Sequence, residues 1–84
     1  MSQIILYSSS ECARCGIVKR LLDIHRVVYT EITDNKPLML DKGFTEVPGV
    51  EENGQIIDTY SKVLSWLQKN GWYSFEEVNG NESN

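Results

Sequence analysis

The chain has one histidine, two cysteines and two prolines among its 84 residues, and none of its apolar runs is long. Each shortage excludes something. Two thiols and one imidazole fall short of the about four ligands of a structural zinc site, usually two cysteine pairs or a pair plus histidines. The imidazole, His25, also lies about three helical turns beyond the thiols, on the apolar side of a helical pattern. Cys12 and Cys15, with only Ala13 and Arg14 between them, make a poor structural staple, because the loop they close is too small to constrain the chain much. Small secreted domains spread more cysteines along their length. No stretch approaches the ~18 apolar residues of a membrane-spanning helix. The opening MSQIILYSSS has no basic start ahead of an apolar core, so no secretion signal is expected. Positive charge is also scarce. Residues 1–70 hold 8 basic and 9 acidic side chains, and Glu76, Glu77 and Glu82 follow with no Lys or Arg. Nucleic acid is therefore not an expected partner, since it calls for clustered positive charge. Neither is a membrane. These exclusions point to a cytoplasmic protein in a reducing compartment, where closely spaced cysteines are catalytic or metal-binding more often than structural.

What is present is enough for one domain. An apolar fraction of 40% is ordinary globular usage and permits a packed core without cross-links. Ile4-Ile5-Leu6-Tyr7 is a continuous apolar run ended by serines, the pattern of a strand buried on both faces. From Ala13 to about Arg26 the period becomes helical: Val18, Leu21, Leu22 and His25 form a stripe that Ile17 and Ile24 broaden. The β-branched run from Val27 to Ile32 reads as a second strand, which makes a right-handed βαβ unit with parallel strands. Asp34 or Asn35 caps a short helix with Pro37 in its first turn and Gly43 at its end. Asn53-Gly54 between extended segments predicts a hairpin with a type I′ turn. Tyr60, Val63, Leu64 and Leu67 start a last helix that Asn70-Gly71 closes. The order β-α-β-α-β-β-α predicts an α/β fold: a four-stranded mixed sheet with helices on both faces. The domain is expected to span residues 1–73, with Trp72, Tyr73 or Phe75 folding back on the core. Residues 74–84, polar and acidic, are expected to be a disordered tail.

On this reading Cys12 sits where a strand meets the N-terminus of a helix. Free N–H groups and the positive end of the dipole favour an anion there. A thiolate is an anion, so the pKa of Cys12 is expected below the free value of about 8.5, with Arg14 assisting and Glu11 opposing. Three-residue spacing puts Cys15 on the same face, one turn on. Cys12 is then the attacking sulfur, and Cys15 resolves the mixed disulfide that forms.

The segment 5–8, Ile-Leu-Tyr-Ser, followed by Cys12-Ala13-Arg14-Cys15 resembles the first strand and active-site corner of the glutaredoxins, within the thioredoxin superfamily. Gly43-Phe44-Thr45-Glu46-Val47-Pro48 resembles that family's second landmark, a Val-Pro pair opening the third strand. Together the similarity covers about residues 3–70. It implies a thioredoxin-like (glutaredoxin) fold and a thiol–disulfide oxidoreductase that reduces protein or glutathione mixed disulfides. Such an electron carrier often serves as donor to ribonucleotide reductase. It further implies a cis Pro48 beside the sulfurs, with the Val47 backbone pairing with an extended substrate segment as an added strand does. Ala13 and Arg14 belong to the same substrate-binding surface. The partners implied are a disulfide-containing protein and a reductant, either glutathione or thioredoxin reductase, acting on a monomer. No tightly bound cofactor is expected, glutathione being a co-substrate.

The departures concern glutathione. Ser8, Ser9, Ser10 and Glu11 stand where many glutathione-using members carry a lysine. The Gly-Gly pair and aspartate of those members correspond here to Asp58-Thr59-Tyr60-Ser61. Tyr60 fits. Ser61 keeps a hydrogen-bonding hydroxyl but loses the charge. Thr59, Tyr60 and Ser61 are the candidate residues of this edge, and Thr59 and Ser61 read equally well as helix caps. Two other functions stay open at this point. Cys12 and glutathione could hold an iron–sulfur cluster across a dimer, or the fold could serve as a catalytically silent interaction domain.

Overall fold

The computed structural model describes residues 3–73. They form β1 (Ile4–Ser8), α1 (Ala13–Ile24), β2 (Thr30–Thr33), α2 (Lys36–Lys42), β3 (Gly49–Glu52), β4 (Gln55–Ile57) and α3 (Tyr60–Lys69). The β-α-β-α-β-β-α order is the one read from the sequence. The strands lie in the order β2-β1-β3-β4. β1 runs parallel to β2, with Tyr7 beside Ile32, and antiparallel to β3, with Leu6 beside Val50. β4 returns along β3, pairing Ile57 with Val50. The sheet is thus mixed, with β1 and β3 inside.

β1 is apolar from Ile4 to Tyr7 because both of its faces are covered. Successive side chains alternate across a strand. Ile4 and Leu6 join Val50 and Ile57 under α1 and α3, which contribute Val18, Leu21, Leu22, Val63, Trp66 and Leu67. Tyr7 points the other way, into a smaller cluster with Met39 of α2 and Phe44. Asn53 and Gly54 have φ of 51° and 86°, the left-handed pair that a type I′ hairpin needs. Trp72 folds back as expected, edge-on to Trp66 at 5.4 Å, and Tyr73 also packs on the larger cluster. The expectations for Phe75 and for residues 74–84 lie outside the described residues.

Three local readings need correction. β2 begins at Thr30, not Val27, because α1 ends in a Schellman turn that uses the residues between. Arg26 N–H donates to the Asp23 carbonyl at 3.0 Å and Val27 N–H to the Leu22 carbonyl at 2.9 Å, with Arg26 left-handed at φ 57°. Val27 packs on the core while Val28 is 88% exposed, so the β-branched run is mostly a connection. Ile17 and Ile24 do not broaden the buried stripe; they are 45% and 58% exposed. His25, exposed, is the C-cap of α1 and no part of the core.

Candidate active site

The chain leaves β1 at Ser8 and reaches α1 through a loop held by a residue that lies 24 positions after Ser10. Asp34, left-handed at φ 55°, donates its N–H to the Ser8 carbonyl at 3.0 Å. Its Oδ1 accepts from Ser10 N–H at 3.1 Å. The Ser10 backbone N–H holds the Asp34 carboxyl below its ordinary range, with Ser9 and Ser10 hydroxyls and Lys36 adding to this. Ser8 is buried and donates to Glu31 Oε2 at 2.6 Å, and Lys19 approaches the same oxygen at 3.2 Å. The Ser8 hydroxyl, then Lys19 and Thr33, hold the Glu31 carboxyl below the usual value against the effect of burial. The end of β1 is therefore pinned on both sides. Of the two caps that the sequence offered for α2, Asp34 and Asn35, it is Asn35 that caps, accepting from Leu38 N–H at 3.3 Å.

Cys12 is the N-cap of α1. Its backbone is extended at φ −135°, ψ 105°, and its Sγ accepts from Cys15 N–H at 3.1 Å. A serine or threonine hydroxyl would ordinarily fill that place. The spacing that lets Cys12 reach the Cys15 amide also brings the two sulfurs together. They form a disulfide, with Cα atoms 5.3 Å apart. The two sulfurs are not equivalent. Cys12 is partly exposed and Cys15 is 1% exposed. Ala13 and Arg14, between them, are exposed.

The Val47–Pro48 peptide is cis, as the resemblance implied, and Pro48 and Gly49 are buried beneath it. Gly49 is required by its neighbour: a Cβ there would overlap the ring of Phe44. That ring is itself held against Tyr7, with centroids 4.7 Å apart. Tyr7 Oη donates to Glu51 at 2.9 Å, and Lys42 pairs with the same carboxylate at 3.0 Å. Burial, then Glu51, pushes the Tyr7 hydroxyl up to about 12. Lys42, then Tyr7, pulls the Glu51 carboxyl down. Above this floor a groove of about 270 Å³ runs from Ser9 past Met39 and Phe44 to Glu46 and Val47.

At the start of α3, Thr59 is the N-cap, accepting from Lys62 N–H at 3.2 Å, and Ser61 is exposed inside the first turn. Of the two cap readings, Thr59 holds and Ser61 does not. Tyr60 links the three segments. Its N–H donates to Glu46 Oε2 at 3.2 Å, and its ring carries the Arg14 guanidinium 4.9 Å above its centroid. Arg14 comes from between the cysteines and Glu46 immediately precedes Val47-Pro48, so Tyr60 joins the two landmarks. Glu46 was missed in the sequence, where a lone glutamate 14 positions before a helix gives no signal. Among the described residues, no three His, Cys, Asp or Glu side chains gather to hold a metal ion, and no helix is long and apolar enough to cross a membrane.

No family model and no curated protein matches this sequence. Solved structures do. A thioredoxin-like protein superposes with a TM-score of 0.67 at 26% identity, covering 80% of this chain and 97% of its own. Buckwheat glutaredoxin, in a glutathione complex, gives 0.64 at 22% identity over 84% of this chain and 72% of its own. Glutaredoxin 1 from Francisella tularensis, complexed with cacodylate, gives 0.64 at 15% identity over 84% and 93%. The last two share the fold. The first match leaves almost none of the matched chain uncovered. This protein thus has the thioredoxin-like fold that the glutaredoxins share, with a CxxC disulfide between β1 and α1.

Proposed function

We propose that this protein is a dithiol–disulfide oxidoreductase in which Cys12 attacks and Cys15 resolves. The fold with its CxxC disulfide supports a thiol oxidoreductase as a class. The observation that carries the finer reading is the inequality of the sulfurs: Cys12, accessible and seated on the N-terminus of α1, is bonded to a Cys15 closed off from solvent.

In the reduced protein, the amides that open α1 favour the thiolate of Cys12 over its thiol. That thiolate attacks one sulfur of a substrate disulfide. The substrate S–S bond breaks, its second sulfur leaves as a thiolate that takes up a proton, and Cys12 is left in a mixed disulfide. Cys15, on losing its proton, attacks Cys12 Sγ and releases the first substrate thiol. Two electrons have passed to the substrate, and the Cys12–Cys15 disulfide described here is the oxidised product. A thiol or dithiol reductant returns it to the start.

Residues 1–73 form the unit that does this, as a monomer in the cytoplasm. Ala13, Arg14, Val47, Pro48, Thr59, Tyr60 and Ser61 make the substrate surface, with Val47 offering its backbone to an extended segment. The Glu46–Tyr60–Arg14 linkage supports grouping them. The substrate is a protein disulfide, with ribonucleotide reductase the recipient that the resemblance implies. Both reductants enter the proposal. The glutathione bound to the buckwheat neighbour supports the first, and the uncharged Ser61 favours thioredoxin reductase. The test is reduction of an insulin-like protein disulfide with each reductant in turn, alongside equilibration of the thiol pair against a redox buffer. Turnover with either, and one two-electron couple for Cys12 and Cys15, are expected. No turnover with both and no reversible couple would overturn the proposal.

A further inference from the structure

We infer that Glu46 is a specificity-determining residue, a built-in anion at the start of α3 that turns the Cys12–Cys15 site away from anionic disulfides and toward neutral or cationic ones. The inference deepens the oxidoreductase reading and rests on it. Its basis is how the N-terminus of α3 is filled. α3 is ten residues long, so its first N–H groups present a positive end that ordinarily attracts an anion from outside. Here the chain supplies that anion itself. Glu46 Oε2 accepts from the Tyr60 N–H at 3.2 Å, and Thr59 accepts from the Lys62 N–H at 3.2 Å. Lys62, the nearest cation of the helix, is already paired with Asp58 at 3.2 Å. Arg14 is drawn onto the Tyr60 ring.

Position makes this carboxylate matter for substrate. Glu46 is the residue before Val47-Pro48, and it lines the 270 Å³ groove together with Asp34 and Lys36. An incoming segment that pairs with Val47 must therefore pass it. A carboxylate on that segment meets a like charge and an N-terminus whose Tyr60 and Lys62 N–H groups are already taken. A lysine or arginine there meets an opposite one. Rim charges of this kind change encounter rate and partner choice more than they change the chemistry. Oxidised glutathione, with two carboxylates and one ammonium on each half, belongs to the disfavoured class.

The experiment measures single-turnover reaction of the dithiothreitol-reduced, desalted protein with two probes: oxidised glutathione and a cystine peptide flanked by lysines. Wild type is compared with Glu46→Gln, which keeps an oxygen for Tyr60 N–H, and Glu46→Asp, which keeps the charge. Glu46→Gln is expected to speed glutathione disulfide by about two- to fivefold and to slow the lysine peptide by a similar factor, the size one exposed charge produces. Both differences should shrink in about 1 M salt, where the screening length falls to about 3 Å. Glu46→Asp should keep the wild-type ranking of the two probes. Equal changes toward both probes, no change, or an aspartate variant that behaves like glutamine would overturn the role of Glu46 while leaving the oxidoreductase intact. A wild-type protein inert to both probes would instead overturn the reading beneath it. Matching circular dichroism and melting curves exclude a folding defect in either variant.

Discussion

The N-termini of α1 and α3 face the same physical demand and meet it with different atoms. Both have exposed backbone N–H groups and a positive dipole end. At α1 the cap is the Cys12 sulfur, on the Cys15 N–H at 3.1 Å. At α3 the cap is the Thr59 hydroxyl, on the Lys62 N–H at 3.2 Å, with the Glu46 carboxylate on the Tyr60 N–H besides. Oxygen is the stronger acceptor, so two N–H groups of the first turn of α3 are firmly held. Sulfur is a weak one, so α1 begins with its donors underused until Cys12 carries a charge. Stability is placed at one end and reactivity at the other. The Arg14 guanidinium resting on Tyr60 keeps the two ends adjacent.

The largest effect that would break this comparison comes from the sulfurs. Cys12→Ser should reduce turnover to the uncatalysed rate while leaving the fold intact, since serine remains a competent cap. Cys15→Ser should keep the first attack and stall there, trapping a mixed disulfide at Cys12 that mass spectrometry of the intact protein detects. Turnover by the Cys12→Ser protein, or trapping at no cysteine, would remove α1 from the chemistry.

A second test reaches α3 from below. Gly49 lies under the Phe44 ring, which is 1% exposed and tilted against Tyr7, so a Cβ there must displace a buried ring. Gly49→Ala is expected to cost about 1–3 kcal/mol, the range for overpacking a close-packed core. Denaturant midpoints measure it. Because Gly49 continues the Glu46-Val47-Pro48 segment, the strain should disturb the α3 end. Alkylation of reduced Cys12 in the folded variant should keep its rate. A loss below about 0.5 kcal/mol would mean that the ring yields and the segment is not held from beneath.

The same contrast governs how much could be read in advance. The α1 end was legible because its signal is local: an apolar strand, serines, then two cysteines at helical spacing. The hairpin was legible for the same reason, through Asn53-Gly54, and the alternation of layers followed from strand and helix periods. Glu46 and Asp34 were not legible as site residues. Each acts on a backbone N–H far away in sequence, Tyr60 and Ser10 respectively, and only the sheet order β2-β1-β3-β4 brings those segments together. The run from Val27 misled for a related reason. β-branched residues suit a half-buried surface in general, and here the helix stop claimed the first of them.

Deleting each cap measures the comparison directly. Thr59→Ala is expected to cost about 1 kcal/mol, the usual value for an oxygen N-cap. Cys12→Ala, measured against the reduced wild type at a pH low enough to keep the Cys12 thiol protonated, should cost distinctly less, because only a thiol acceptor is then lost. Equal losses in thermal or denaturant unfolding would show that the two ends are equally closed, and the division between them would fail.

The opposite ends of the same helices provide the smallest and most discriminating test. α1 and α3 finish alike. Arg26 N–H donates to Asp23 O at 3.0 Å and Val27 N–H to Leu22 O at 2.9 Å; Gly71 N–H donates to Gln68 O at 3.0 Å and Trp72 N–H to Leu67 O at 2.9 Å. Only the left-handed residue differs: φ is 57° at Arg26 and 80° at Gly71. A side chain in that region crowds its own backbone, whereas glycine adopts it freely at the cost of a more flexible unfolded chain. Arg26→Gly should therefore stabilise the protein by a few tenths to about 1 kcal/mol. Arg26 is exposed and, among the described residues, hydrogen-bonds only through its backbone N–H, so little packing is lost. The change sits at the far end of α1 from Cys12, beyond the first turn in which a dipole acts. A rise in stability with an unaltered alkylation rate at Cys12 would place the reactivity of α1 in its first turn, whereas a rate that follows the stability of the whole helix would relocate its cause to the body of α1.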